Sequence, residues 1–125
     1  MNLVDSSGWL EYLSDGHNAS FFEKPLGAPD ELIVPTLCLY EVFKVVLRER
    51  GESDAIQAAA LMQQGRLAEL TGDIALLAAR LSLKKKIPMA DSIIAATGAF
   101  YRAIIWTQDE DFKLLEGVKF ISKKN

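Results

Sequence analysis

At 125 residues, half of them hydrophobic and a quarter charged, the chain has the size and composition of one globular domain and lacks the polarity of a disordered segment. A formal net charge of -3 gives by itself no hint of a nucleic-acid binder, whereas a surplus of acids suits a carboxylate-lined metal site. The single cysteine, Cys38, excludes an internal disulfide or a cysteine-rich zinc site, and no apolar stretch reaches the roughly 18 to 20 residues of a membrane span; because Asp5 interrupts the apolar start and no basic stretch precedes it, no signal peptide is expected, and a cytoplasmic, soluble protein is.

Residues 1–4 read as a short apolar strand ended by Asp5-Ser6-Ser7, after which Trp9, Leu10 and Leu13 recur at helical spacing. Ser6 or Ser7 is the expected cap of that helix, and Asp15-Gly16 its end. A short helix over residues 19–24, with Phe21 and Phe22 turned inward, should stop at Pro25. Leu32-Ile33-Val34 is the second strand. Pro35-Thr36 opens a long helix through Arg50, ended by Gly51, with an apolar face of Leu37, Tyr40, Val42, Val45 and Val46. On another side of it lie Glu41, Lys44 and Arg48, readable either as ion pairs or as a functional face.

An alanine-rich helix over 53–64 ends at Gly65, and residues 66–70 suggest a short edge strand. Thr71 caps the next helix, whose closing Lys84-Lys85-Lys86 either complements its dipole or contacts RNA. Pro88 then starts a helix running to about Arg102, apolar on many sides, with Asp91 in its first turn. Ile104-Ile105-Trp106 is a strand, and Thr107-Gln108-Asp109-Glu110-Asp111-Phe112 an acidic cluster at its carboxyl end that leads into a short helix through Leu115. Residues 118–121 form the last strand, and Lys123-Lys124-Asn125 a solvated tail.

Short, wholly apolar strands alternating with helices predict an α/β fold with a mostly parallel sheet covered on both faces, in a single domain over residues 1–125. Ligands of such sheets bind beyond the carboxyl ends of the strands. Asp5 and Asp109 follow strands, Asp91 opens a helix, and Glu41 lies about two turns into another. Four acids meeting there would repel one another unless a divalent cation kept them ionised. Oxygen-only ligation favours Mg2+ or Mn2+, whose chemistry suits phosphodiester hydrolysis. With His17 the only histidine, a two-histidine ribonuclease mechanism is excluded, and no glycine-rich phosphate loop is present.

The segments Leu3-Val4-Asp5-Ser6-Ser7, Pro35-Thr36 to Glu41, Ile87 to Thr97 and Thr107 to Phe112, in this order and spacing, together resemble the PIN domain over essentially the whole chain, and within it the VapC toxins of toxin-antitoxin pairs. That resemblance implies an α/β/α sandwich and a Mg2+-dependent endoribonuclease that prefers single-stranded parts of RNA such as tRNA or rRNA. It matches Asp5, Glu41 and Asp91 to three metal-binding acids and Asp109 to a fourth. Asp111 is then a further acid, and Ser6 and Thr107 are supporting hydroxyls. Lys44 and Arg48 are candidates for steering the RNA backbone. A VapB-like antitoxin and a homodimer, for which the apolar residues 42–47 and 55–62 are candidate contacts, are the implied partners. A stand-alone RNA-processing nuclease and a Mg2+-dependent phosphatase of receiver-like fold are the alternatives.

Overall fold

In the computed structural model, which describes residues 1–124, five strands form one sheet: β1 (Asn2–Val4), β2 (Leu32–Pro35), β3 (Arg66–Ala68), β4 (Ile104–Thr107) and β5 (Val118–Phe120). Their order is β3-β2-β1-β4-β5, and every pairing is parallel. Six helices flank it: α1 (Ser6–Leu13), α2 (Ala19–Leu26), α3 (Thr36–Arg50), α4 (Glu52–Met62), α5 (Gly72–Lys85) and α6 (Met89–Phe100). The parallel sheet flanked by helices that the alternating pattern predicts, and the α/β sandwich that the resemblance implies, are therefore present. All five strands run parallel because each is joined to the next through at least one helix or a turn of 3-10 helix, which carries the chain back to the starting edge.

The core is built from Leu3, Val4, Ile33, Val34 and Ile105 of the sheet with Trp9, Phe22, Val42, Met62, Ile94 and Phe112 packed against them. Chain direction from β1 goes to one side of the sheet, through β2 and β3, and then returns across it to β4 and β5. The switch point thus lies between β1 and β4, and it is beyond the carboxyl ends at such a point that sheets of this kind bind ligands. Gly8 lets α1 approach closely, since a Cβ there would lie 2.6 Å from both Phe22 Cε1 and Val4 Cγ1.

Several local expectations are corrected. Neither Ser6 nor Ser7 caps α1; the N-cap is Asp5 itself, whose carboxylate accepts from the Gly8 amide. Pro25 does not stop α2, which runs to Leu26. In the last turn a missing N–H costs a single helical bond, and the ring is buried. Pro35 and Pro88 sit at N-caps with extended backbone, one position before the first helical turn. Helix α4 spans 52–62, not 53–64. Helix α6 ends at Phe100 because Arg102 takes a left-handed conformation (φ 54°), and only a turn of 3-10 helix, Glu110–Phe112, stands where a helix to Leu115 was expected.

On α3 the buried residues are Cys38, Val42 and Val46, while Tyr40 is 61% exposed. Val42, Val46, Ala55, Ala58 and Met62 belong to the core, so of the apolar segments considered for a dimer only Leu47, Ile56 and Leu61 remain prominent at the surface. Larger exposed side chains occur on and beside α5, at Leu76, Leu83 and Met89. Thr71 caps α5 as expected, accepting from the Ile74 amide, and β3 is an edge strand. Lys123 and Lys124 are exposed; Asn125, the end of the predicted tail, lies outside the described residues. No helix among the described residues is long and apolar enough to cross a membrane.

Candidate metal centre

Asp5 follows β1 directly and is 2% exposed. A buried carboxylate needs donors, and this one has several. The Gly8 amide donates to Oδ1 at 2.9 Å, Ser7 Oγ lies 2.9 Å from both oxygens, and Thr107 Oγ1, at the end of β4, donates to Oδ2 at 2.6 Å. Burial nevertheless dominates and pushes the Asp5 carboxyl up to about 6, against the lowering effect of these hydrogen bonds and with some help from the negative charge of Asp109.

Asp109 is the N-cap of the following 3-10 turn. Its amide donates to Thr107 Oγ1 at 2.9 Å, and its Oδ1 accepts from the Asp111 amide at 2.9 Å. This turn brings Asp109 and Asp111 beside Asp91, in the first turn of α6. Carboxylate oxygens of Asp91, Asp109 and Asp111 all lie within 4.8 Å of one another. Asp91 is pushed up to about 7, first by burial, then by a hydrogen bond with Asp111, then by the charges of Asp109, Asp111 and Asp5. The N-terminus of α6 favours an anion at Asp91, yet the accumulated negative charge and desolvation outweigh it.

Neither Asp5 nor Glu41 belongs to that tight group, although the charge of Asp5 is felt at Asp91; Glu41 stands further off. It is half-buried on α3 and accepts from Ser6 Oγ at 2.7 Å, so it is tied to the residue that follows Asp5. The negative field of this corner also reaches Cys38, whose thiol is raised mainly by burial and further by the charges of Asp5 and Glu41. Ser6 and Thr107, expected to support the site, each hold one acid. Lys44 lies over the Tyr40 ring, 5.6 Å from its centroid, and Arg48 pairs with Glu49 at 3.2 Å. Among the described residues neither makes an ion pair with an acid of the cluster.

Ser7 was missed as an acid-holding hydroxyl. The consecutive serines after Asp5 marked a helix start but not which of them would fold back on the carboxylate. The donor set is all oxygen and negatively charged, with two carboxyls held above their ordinary range by desolvation and mutual repulsion. That is the environment a hard divalent cation relieves, so the residues present fit Mg2+ or Mn2+. Thr107→Val keeps the volume of the side chain but removes the 2.6 Å bond to Asp5. The Asp5 carboxyl should then titrate higher still, above about 6, read as a carboxyl-carbon chemical shift over pH; an unchanged titration would show that Thr107 does not govern this acid.

The PIN domain family model matches residues 3–118. No curated protein matches the sequence significantly. By structure, the chain is similar to a toxin-antitoxin complex from Klebsiella pneumoniae (TM-score 0.81, 21% identity, covering 95% of this chain and 96% of that one). It is also similar to VapC20 of Mycobacterium tuberculosis, a Sarcin-Ricin loop cleaving toxin (TM-score 0.77, 18% identity, 93% and 95%). A third likeness is to VapBC2 from Rickettsia felis bound to a DNA fragment from their promoter (TM-score 0.75, 11% identity, 97% and 97%). At identities this low, these TM-scores show a shared fold alone.

Proposed function

The chain belongs to the PIN domain family, and from that premise we propose that it is a Mg2+-dependent endoribonuclease, the toxin half of a VapBC-type toxin-antitoxin pair. The observation that carries this reading is the convergence of Asp91, Asp109 and Asp111 at the carboxyl end of the sheet, with Asp5 buried beside them. Asp5, Asp91 and Asp109 are the proposed principal ligands, Asp111 contributes a further carboxylate, and Glu41 completes the site from α3. A bound divalent cation lowers the pKa of water and neutralises charge developing on a phosphoryl group.

The protein's own side chains prepare the ground for that chemistry. Thr107 and Ser7 fix both oxygens of Asp5, so its orientation is set before any ion arrives. Ser6 holds Glu41, whose proposed role is to orient a water or complete the shell. Lys44 and Arg48 are exposed on the same helix as Glu41 and are proposed to guide the RNA phosphates; Arg48 must leave its exposed pairing with Glu49, a contact worth little in water. The solved relatives that are toxin-antitoxin assemblies support a VapB-like partner. A homodimer is part of the same proposal, with the exposed Leu47, Ile56 and Leu61 as its candidate contacts.

The test is incubation of the purified protein with tRNA and ribosomal RNA, with Mg2+, Mn2+ or a chelator, followed by sequencing of the new 5′ ends. Discrete cuts that need the metal are expected. RNA left intact with either ion would overturn the nuclease reading, and release of phosphate from small phosphoesters under the same conditions would favour a phosphatase.

A further inference from the structure

Beside the turn that follows β4, a second polar assembly joins three distant segments. Asn18 stands at the N-cap of α2, a position whose side chain ordinarily accepts from the helix's own amides, but it makes no capping bond. It is 1% exposed and turns inward instead. Its Nδ2 donates to Gln108 Oε1 at 2.9 Å and to the Ser122 carbonyl at 3.0 Å. Gln108, 6% exposed, donates from Nε2 to Glu11 Oε1 at 3.4 Å, and the other Glu11 oxygen accepts from the Asn18 amide at 2.8 Å. Space for the Glu11 carboxylate exists because residue 16 is glycine: a Cβ there would lie 2.4 Å from Glu11 Cδ.

Gln108 sits between Thr107, which bonds Asp5, and Asp109, which belongs to the acid cluster. The turn that follows it is a single turn of 3-10 helix and would be pushed outward by the charges on Asp91, Asp109 and Asp111. Asn18 Oδ1 is buried without a partner. An apolar residue would fill this place without that cost, so what an amide adds here is the pair of donor bonds across the chain.

We propose that Asn18, Gln108 and Glu11 form a positioning network that holds the Thr107–Asp111 turn against the acids' repulsion and so keeps Asp109 and Asp111 convergent on Asp91. The inference rests on the metal-site reading above only for its consequence, and the geometry it claims has its own readout.

Hydrogen exchange of the Asp109 and Asp111 amides, both bonded within the turn, reports its integrity without metal or substrate. Gln108→Glu sets a carboxylate against Glu11. These two amides should exchange about 10-fold faster or more while the β1 and β4 amides stay protected, and Mn2+ affinity should fall about 10-fold. Adding Glu11→Gln reverses the donor and acceptor of the same bond without changing the charge of the pair, and should return both readings to near wild type. Gln108→Met, of similar volume, removes the bonds without adding charge and serves if Gln108→Glu does not fold. Unchanged exchange at Asp109 and Asp111 in the single variants, or no recovery in Glu11→Gln/Gln108→Glu, overturns the proposal. A wild-type protein that cuts no RNA would sink the nuclease reading and leave the exchange result standing.

Discussion

Asp91→Asn is expected to lower RNA cleavage on the order of 100- to 1,000-fold or more, the scale on which removal of one charge-stabilising group acts in preorganised sites, while making the metal-free protein more stable at pH 8. Both effects come from the same cause. The Asp91 carboxyl is raised to about 7 because burial and three neighbouring acids disfavour its charged form. Below about pH 4 the carboxyl holds its proton in both folded and unfolded chains, so substitution should change little there. As pH rises towards 7 the unfolded chain releases the proton first, and the stability associated with the protonated folded form is lost. Above about pH 7 to 8 the loss is complete, and asparagine, which never ionises, avoids it. Asp91 is only half-buried, so solvent screening moderates the gain. A rise in Tm of roughly 3 to 5 °C at pH 8, for about 1 kcal/mol, is expected, shrinking towards zero at pH 4. A variant that still cuts RNA at the wild-type rate, or that is less stable at pH 8, would contradict the role given to Asp91.

The second large effect is stabilisation by metal. An ion at one hundred times its dissociation constant should stabilise the folded chain by about 2.7 kcal/mol, a Tm increase on the order of 10 °C for a domain of this size. Because Asp5 and Asp91 titrate near 6 and 7, an ion must displace protons at pH 5 but not at pH 8. The rise in Tm with Mn2+ should therefore be several-fold larger at pH 8 than at pH 5, and cleavage should decline as pH falls through 7 and 6. A scan by differential calorimetry in Mn2+ and in chelator reads the first. Equal shifts at both pH values would mean that the ion binds away from these acids.

Much of this fold is legible from local pattern. Apolar runs too short for helices and bounded by helix-starting residues mark β1, β2 and β4, and Thr71 and Gly51 punctuate the helices where the structure has them. Asp5 and Asp109 announce themselves by following strands. Other features depend on distance across the sheet, which no local window contains. Asp111 reaches Asp91 because a 3-10 turn, too short to leave a periodic signal, folds it back. Glu41 stands outside that cluster on α3, tied by its bond to Ser6 to the residue after Asp5. The tyrosine at 40 counts as apolar in a pattern yet faces solvent beside Lys44. Asn18 and Gln108, 90 residues apart, carry no mark in sequence at all.

The place of β1 in the middle of the sheet bears on how the protein is made. Its partners arrive at very different times: Leu3 aligns with Ile33 on one side and with Ile105 on the other. A nascent chain can form the β1–β2 half early, but the central strand keeps one bare edge until the ribosome has delivered β4. Asp5 likewise waits for Thr107, and the acid cluster for Asp111. Any hydrolytic capacity of this site is thus withheld until β4 and the turn after it have left the ribosome, since two of its five carboxylates, Asp109 and Asp111, follow that strand.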